Sequence, residues 1–375
     1  PIIHGFTKSS LTIILGIVLL FQITVIGKLF NSKISIIYGL FVATEPYLIG
    51  IDRWFHVTSL EVSLAFLSLL LLMLWYKFGF KKYLILSSVI LSLAVLSKIT
   101  PIIFLPFFIS LIIYKRRIFS LVSLKEGLIY IAVFAFVVLL VFPAIWVAPL
   151  YVFNKLFTAA FTATAGVSRL TGFGTFYYLV ILCFKLSPIT LFLFIFFLPK
   201  LIKRLKSSDV VIAITYLLVY LVFLSLASQK IDRYVISVIY PLLLLTSVYV
   251  AELKIKKLLV VCFGIIIFTL WLAKTYYPVY SAYYSPIFCG SSKALEIAIY
   301  DNSGAYFAQA AEYLNAKGRD IDVFIPDNMD SFSPFFGGRF SKWYSPEADY
   351  IVKSQDFDRK ISGDELCPIV DKTFG

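Results

Sequence analysis

The sequence predicts an all-α polytopic membrane protein of about ten transmembrane helices, followed by a small C-terminal α/β domain on the exoplasmic side. Three observations predict it. Of 375 residues, 60% are hydrophobic and only 15% are charged, whereas soluble domains run at about 45–50% apolar and about 25% charged. Apolar runs such as Leu64–Leu74 and Ile131–Val141 recur between short basic segments, as in a chain whose solvent is lipid. The formal charge of +13 is unevenly spread: residues 1–273 hold 24 Lys and Arg against 7 Asp and Glu, a net of +17, and residues 274–375 hold 10 against 14, a net of −4. A soluble enzyme is excluded. The positive charge interrupts apolar runs as membrane loops require, so it does not point to nucleic acid.

The ten apolar stretches lie near Ser10–Ile26, Ile34–Ile51, Val57–Trp75, Tyr83–Leu96, Ile102–Ile113, Gly127–Val147, Phe176–Leu198, Val210–Leu226, Val235–Val250 and Leu258–Leu272. Several fall short of the roughly 20 residues that cross a bilayer. Kinked or re-entrant helices are therefore expected, above all around Lys98-Ile99-Thr100-Pro101. Alternate loops carry Lys28 and Lys33; Lys77, Lys81 and Lys82; Lys115, Arg116, Arg117 and Lys125; Lys200, Lys203, Arg204 and Lys206; and Lys254, Lys256 and Lys257. The positive-inside rule places these loops in the cytoplasm and both chain ends outside. The chain starts at Pro1 with no signal-peptide pattern, so it is expected to begin part-way into a longer protein.

Residues 149–178 are expected to include an amphipathic helix lidding a cavity, with Phe153, Phe157 and Phe161 on one face, or else to form an ordinary long loop. Residues 274–375 form the expected second domain, with a helix over Ala305–Lys317 capped by Ser303 and strands over Ile321–Ile325 and Tyr350–Val352. That domain serves either to recognise an acceptor or as a structural cap. Cys183 and Cys262 fall in membrane helices, while Cys289 and Cys367 both lie in the tail, where an oxidising compartment permits a disulfide. No cysteine spacing suggests a zinc site.

Charged side chains at membrane depth are costly unless paired or hydrated. Glu45, Asp52, Arg53, His56, Glu61, Lys98, Lys185, Lys230, Asp232 and Arg233 nevertheless cluster toward one leaflet. Two patterns stand out: Glu45-Pro46-Tyr47-Leu48-Ile49-Gly50-Ile51-Asp52-Arg53-Trp54-Phe55-His56, and Ser228-Gln229-Lys230-Ile231-Asp232-Arg233-Tyr234. Arg supplies a fork for a phosphate, Lys a point charge, and a phenol or imidazole the remaining hydrogen bonds.

The first pattern, with Leu91–Leu105, resembles the "DPFLL…SR…H" and "GLAxLTKxP" stretches of the family 39-like, GT-C type glycosyltransferases, which include protein O-mannosyltransferases and lipid A aminoarabinose transferases. Segments 144–149, 184–188, 230–234, 280–286, 310–315 and 348–352 resemble later landmarks in the same order. The resemblance implies transfer of a sugar from a polyprenyl-phosphate donor, undecaprenyl or dolichyl, to a protein, lipid or glycan acceptor on the outer face of the cell membrane. It also implies a carboxylate base in the first exoplasmic loop, expected upstream of Pro1. Where the family commonly has an Asp, this chain has Thr58 or Ser59, so Asp52, Glu61 or Glu45 is left to stand in. The need for a divalent cation stays open.

For the donor phosphate the candidates are Lys230, Arg233, Tyr234, Lys98, Arg53 and His56. Lys230 and Arg233 are expected to share a face at a helix start, with Asp232 free to pair with either. Each candidate has a plainer alternative: an interfacial anchor for Arg53, a structural hydrogen bond for His56, and the aromatic belt for Tyr234. A transporter or flippase is the rival class, predicting internal repeats and midplane charge, and a non-catalytic relative is a third. No clear repeat is present, and no P-loop or dinucleotide motif occurs.

Overall fold

The computed structural model describes residues 2–53, 57–115, 120–165, 173–203, 207–227, 230–277, 280–290, 293–294, 306–326, 329–343, 345 and 347–353, with backbone alone at 2–9 and 159–165. His56, Phe161 and Cys367 lie outside the described side chains, as do Ser303 and Ala305.

Helix α1 (Ile2–Leu29) leads into α2 (Ser32–Thr44) and α3 (Pro46–Asp52). These two are one apolar stretch bent by 65° at Glu45. Pro46 has no N–H to extend α2 and holds Glu45 extended, so the chain restarts as a new helix. Next come α4 (Val57–Phe78), α5 (Lys81–Ser97), a 3-10 turn over Thr100–Ile103, α6 (Phe104–Tyr114), α7 (Leu121–Val141), α8 (Ala144–Val147) and α9 (Pro149–Ala165). Then follow α10 (Tyr177–Lys185), α11 (Pro188–Lys203), α12 (Ser208–Leu226), α13 (Ile236–Val250) and α14 (Ile255–Thr275). The stretch containing α10 and α11 bends by 119°, again at a proline, Pro188.

All ten predicted stretches are helical, but their number as membrane spans is lower than expected. Among the described residues, six helices are long and apolar enough to cross a bilayer alone, or up to eight when each bent pair counts as one span. Helices α5 and α6, at 17 and 11 residues, fall short because the Lys98–Pro101 break cuts their shared stretch. In Val57–Phe78 and Asp232–Val250, 89% of the residues in the most apolar stretch are buried, whereas in the other four long spans 17–33% are. Thus α4 and α13 form the core, and the others turn apolar surface to lipid. Polar contacts join helices inside: Tyr38 donates to Gln22 at 2.7 Å, Gln22 to the Ser63 carbonyl at 2.9 Å, and Ser68 meets Ser87 at 3.0 Å.

Charge is sorted along this core. Glu61 and Lys77 are 16 residues apart on α4, about 24 Å along its axis. At the Lys77 end, Lys33 donates to the Ala251 and Leu253 carbonyls, Lys77 to Leu29 and Lys115 to Trp75. Basic side chains there cap helix C-termini, where the macrodipole favours cations. These loops are the ones grouped by the positive-inside count. At the other end lie Glu61 and the remaining candidates.

Helix α9 is present where an amphipathic helix was expected, and none of its described side chains is buried. After α14, the segment Tyr280–Ala282 packs on α3 so closely that a Cβ at Gly50 would lie 2.5 Å from the Ser281 nitrogen. A separate small core gathers Phe307, Ala310, Ala311 and Leu314 of the helix Phe307–Asn315 with Val323, Ile325, Phe332 and Phe336. Its sheet orders β1 (Asp322–Phe324) between β2 (Arg339–Ser341) and β3 (Tyr350–Ile351), both parallel to it. The sequence reading anticipated β1 and β3 but missed β2, whose polar Arg-Phe-Ser carries no strand pattern.

Candidate functional site

Two groups of charged residues occupy the end of the bundle opposite Lys77, and they differ in access. The first gathers around Glu61, one turn into α4. Lys98, which ends α5, places Nζ 3.5 Å from Glu61 Oε1 and donates to Thr58 Oγ1 at 3.2 Å. Thr100, two residues on, donates to Glu61 Oε2 at 3.3 Å. The Lys98 ammonium lies 4.2 Å from the centre of the Tyr234 ring. Lys98 keeps 22% of its side chain exposed, while Glu61 keeps 1%. Burial lowers the pKa of the Lys98 ammonium below the ordinary lysine value, with the nearby Arg233 charge pushing the same way and Glu61 opposing both. Arg233 has a buried Nε with no hydrogen-bond partner among the described residues. Two cations, one carboxylate and a phenol thus lie near one another, with Lys98 partly exposed.

The second group is sealed. Lys185, the last residue of α10, is 0% exposed and sets Nζ 3.5 Å from Asp232 Oδ2. Its Nζ also lies 3.7 Å from the Tyr284 ring centre and 4.7 Å from that of Tyr47. Tyr47 donates to Asp232 Oδ2 at 3.3 Å, and Asp232 Oδ1 accepts the Arg233 N–H at 2.6 Å.

Beside it, Glu45 joins the two helix breaks. Its carboxylate accepts the Ser187 N–H at 2.6 Å and the Thr190 hydroxyl at 2.7 Å, with the Ser187 hydroxyl 3.2 Å away. The residue at the α2–α3 kink therefore caps α11, the half-helix after the second break. Glu45 is fully committed to this contact, as its 1% exposure confirms. Of the other carboxylates, Asp52 at the end of α3 has a buried Oδ1 with no hydrogen-bond partner among the described residues.

Lys230 departs from expectation. Ile231 is extended, at φ −133° and ψ 125°, and a 3-10 turn starts only at Asp232, so Lys230 and Arg233 share no helix face. The Lys230 ammonium instead donates to the Ser225 and Leu224 carbonyls at 2.7 and 3.0 Å, capping α12. Arg53 is exposed and stacks 4.9 Å from the Tyr280 ring centre, at a cavity of about 120 Å³ lined also by Ile49, Leu272 and Tyr276. The structure thus brings Lys98, Arg233, Tyr234 and Glu61 together and sets Arg53 and Lys230 in other surroundings. The sequence predicts no contact of Thr58, Thr100, Ser187, Thr190 or Tyr47 with these ions. Only Ser187-Pro188-Ile189-Thr190 left a signal, that of a helix N-terminus. No group of three or more His, Cys, Asp or Glu among the described residues is placed to hold a metal ion.

No family model matches the chain, and no curated protein matches it in sequence. Solved structures do. The crystal structure of ArnT from Cupriavidus metallidurans in the apo state superposes with a TM-score of 0.55 at 16% identity, covering 88% of this chain and 70% of that one. The chain has the fold of ArnT. A second crystal structure of ArnT, bound to undecaprenyl phosphate, gives a TM-score of 0.50 at 14% identity, covering 83% of this chain and 58% of that one. At such identities the fold is what is shared. ArnT has the GT-C fold, so the GT-C-like architecture expected from the sequence is the one found, in a multi-pass membrane protein.

Proposed function

We propose that this chain is a membrane glycosyltransferase that takes a sugar from a polyprenyl-phosphate donor and passes it to a hydroxyl of a protein, lipid or glycan on the exoplasmic face of the cell membrane. One observation carries the reading: Lys98 lies over the ring of Tyr234, the chain neighbour of Arg233, at one end of a lipid-facing bundle, and stays partly open. The ArnT fold supports it, since one ArnT structure holds undecaprenyl phosphate and ArnT is a lipid A aminoarabinose transferase.

In this reading the phosphate leaves with the electrons of the bond to the sugar carbon, and Lys98 and Arg233 stabilise the charge it gains. A carboxylate takes the proton of the acceptor hydroxyl as its oxygen attacks that carbon. Asp52 is left as the candidate base among the described carboxylates, because Glu61 holds Lys98 in place and Glu45 holds α11. The domain formed by residues 274–375 is assigned to the acceptor side. Broken helices also occur in transporters, where half-helix N-termini face an anionic substrate. Here the N-terminus of α11 faces Glu45, which leaves it no such role.

The test is binding and transfer by the purified protein in lipid nanodiscs. Undecaprenyl phosphate is expected to bind at least tenfold more tightly than undecaprenol, and Lys98→Ala with Arg233→Ala to abolish the difference. Equal binding of the phosphate and the alcohol overturns the reading.

A further inference from the structure

The Lys185 group has no place in the chemistry above, yet it touches the residue that does. With 0% exposure and its Nζ enclosed by the rings of Tyr47 and Tyr284, Lys185 is closed to any ligand. A buried ion pair is weak support for stability, because apolar replacements of similar volume often serve a fold as well or better. What it does well is hold a geometry, and the geometry here is specific. Lys185 and the Tyr47 hydroxyl both engage Asp232 Oδ2, at 3.5 and 3.3 Å. The other oxygen, Oδ1, accepts the backbone N–H of Arg233 at 2.6 Å. One residue earlier, the Ile231 N–H donates to the Tyr178 hydroxyl at 3.1 Å. The segment entering the 3-10 turn is thus pinned by side chains on both sides of Asp232.

Lys185 is itself fixed from three directions. Glu45 caps α11 just beyond it. The Tyr283 hydroxyl donates to the Leu186 carbonyl at 3.3 Å, and the Ser285 N–H to the Phe184 carbonyl at 2.6 Å. The ammonium also lies at the C-terminal end of α10, where the helix dipole favours a cation.

We propose that Lys185 is a positioning residue: it anchors Asp232, and through Asp232 the backbone that presents Arg233 to the donor phosphate. The proposal rests on the donor reading above for what Arg233 meets, and on contacts within the protein for how Arg233 is held. The rings of Tyr47 and Tyr284 keep water from the pair, so the anchor is rigid where the Lys98 group is open.

Two variants test it in the full chain in nanodiscs. Lys185→Met keeps length and removes charge; Tyr47→Phe keeps the ring and removes one hydrogen bond to Asp232, and so serves if the first variant fails to fold. Amide exchange over residues 231–235 is expected to rise roughly tenfold in Lys185→Met and less in Tyr47→Phe, since opening of a local hydrogen bond sets the rate. The Kd for undecaprenyl phosphate is expected to weaken about tenfold in Lys185→Met, and by no further amount when Lys185→Met is added to Arg233→Ala, as sites acting through one group are non-additive. Unchanged exchange in both variants overturns the proposal, and so do losses that add in the double variant. Exchange that rises while the wild type binds undecaprenyl phosphate no better than undecaprenol defeats the donor reading and upholds the Lys185–Asp232–Arg233 linkage.

Discussion

The Lys98–Glu61 and Lys185–Asp232 pairs share the same chemistry and nearly the same separation, 3.5 Å in each, yet one lysine is 22% exposed and the other 0%. Lys98 closes a helix at a break filled only by a 3-10 turn, and its side chain is left partly uncovered. Lys185 closes a helix at a break over which Tyr47, Tyr284 and the segment after α14 are laid. Access, which follows from what covers each break, separates a cation that can meet a ligand from one that can only hold the protein. The same covering explains Gly50, where the segment after α14 leaves no space for a Cβ.

The contrast breaks first at its largest expected effect. Lys185→Ala leaves Asp232 buried and unpaired and is expected to destabilise the protein by about 3–5 kcal/mol, read from thermal unfolding in detergent, with Lys185→Met/Asp232→Asn recovering most of the loss. A Lys185→Ala protein no weaker than Lys98→Ala would erase the difference between the groups. Glu45→Ala is expected next, at about 2–4 kcal/mol, because it strips the α11 N-terminus of a charged acceptor; Glu45→Gln keeps one acceptor oxygen and should lose less. Lys98→Ala leaves the buried Glu61 without its cation but removes a lysine that is partly exposed, so it should cost less than Lys185→Ala, about 1–3 kcal/mol, while weakening undecaprenyl phosphate binding about tenfold or more.

A pH series sharpens the same point. Because burial lowers the Lys98 pKa in the folded protein, donor affinity should fall as pH rises through the alkaline range below the ordinary lysine value, and Lys98→Arg should flatten the fall. Stability should move the opposite way. Between the folded and unfolded pKa values the unfolded chain keeps a proton that the folded one has lost, so the Lys98 contribution rises with pH there. The smallest effect belongs to Lys77→Ala at the other end of α4. Its 4.0 Å pair with Asp209 is 40% exposed on the lysine side, and its loss should cost no more than about 1 kcal/mol in the same unfolding measurement.

Much of this was legible in the chain. Apolar length marked every helix of the bundle, Pro46 and Pro188 mark the two sharp bends, and the grouping of loop lysines matches the end where Lys33, Lys77 and Lys115 cap helices. The number of single-helix spans was not, because a composition window averages across breaks such as Lys98–Pro101. Lys230 was misplaced for a similar reason: a spacing of three implies a shared face only inside a helix, and Ile231 is extended. Thr58 stood out only as a place where the resembling family has an Asp, and Thr100 only as part of a helix break; their contacts to the ion pair were not legible, since a hydroxyl that serves a buried ion looks in sequence like any other membrane threonine.

By itself the sequence determined that this is a multi-pass membrane protein and which charges fall at which end of the helices; proline alone did not settle where a helix stops, since α11 and α13 continue through Pro199 and Pro241. The membrane class and the charge pattern follow from solvent, which acts locally. Only the tertiary structure decided which of those charges are joined and which are open. Glu45 meets Ser187 across 142 positions and Tyr47 meets Asp232 across 185, and the burial of an ion is set by whichever distant segments pack against it.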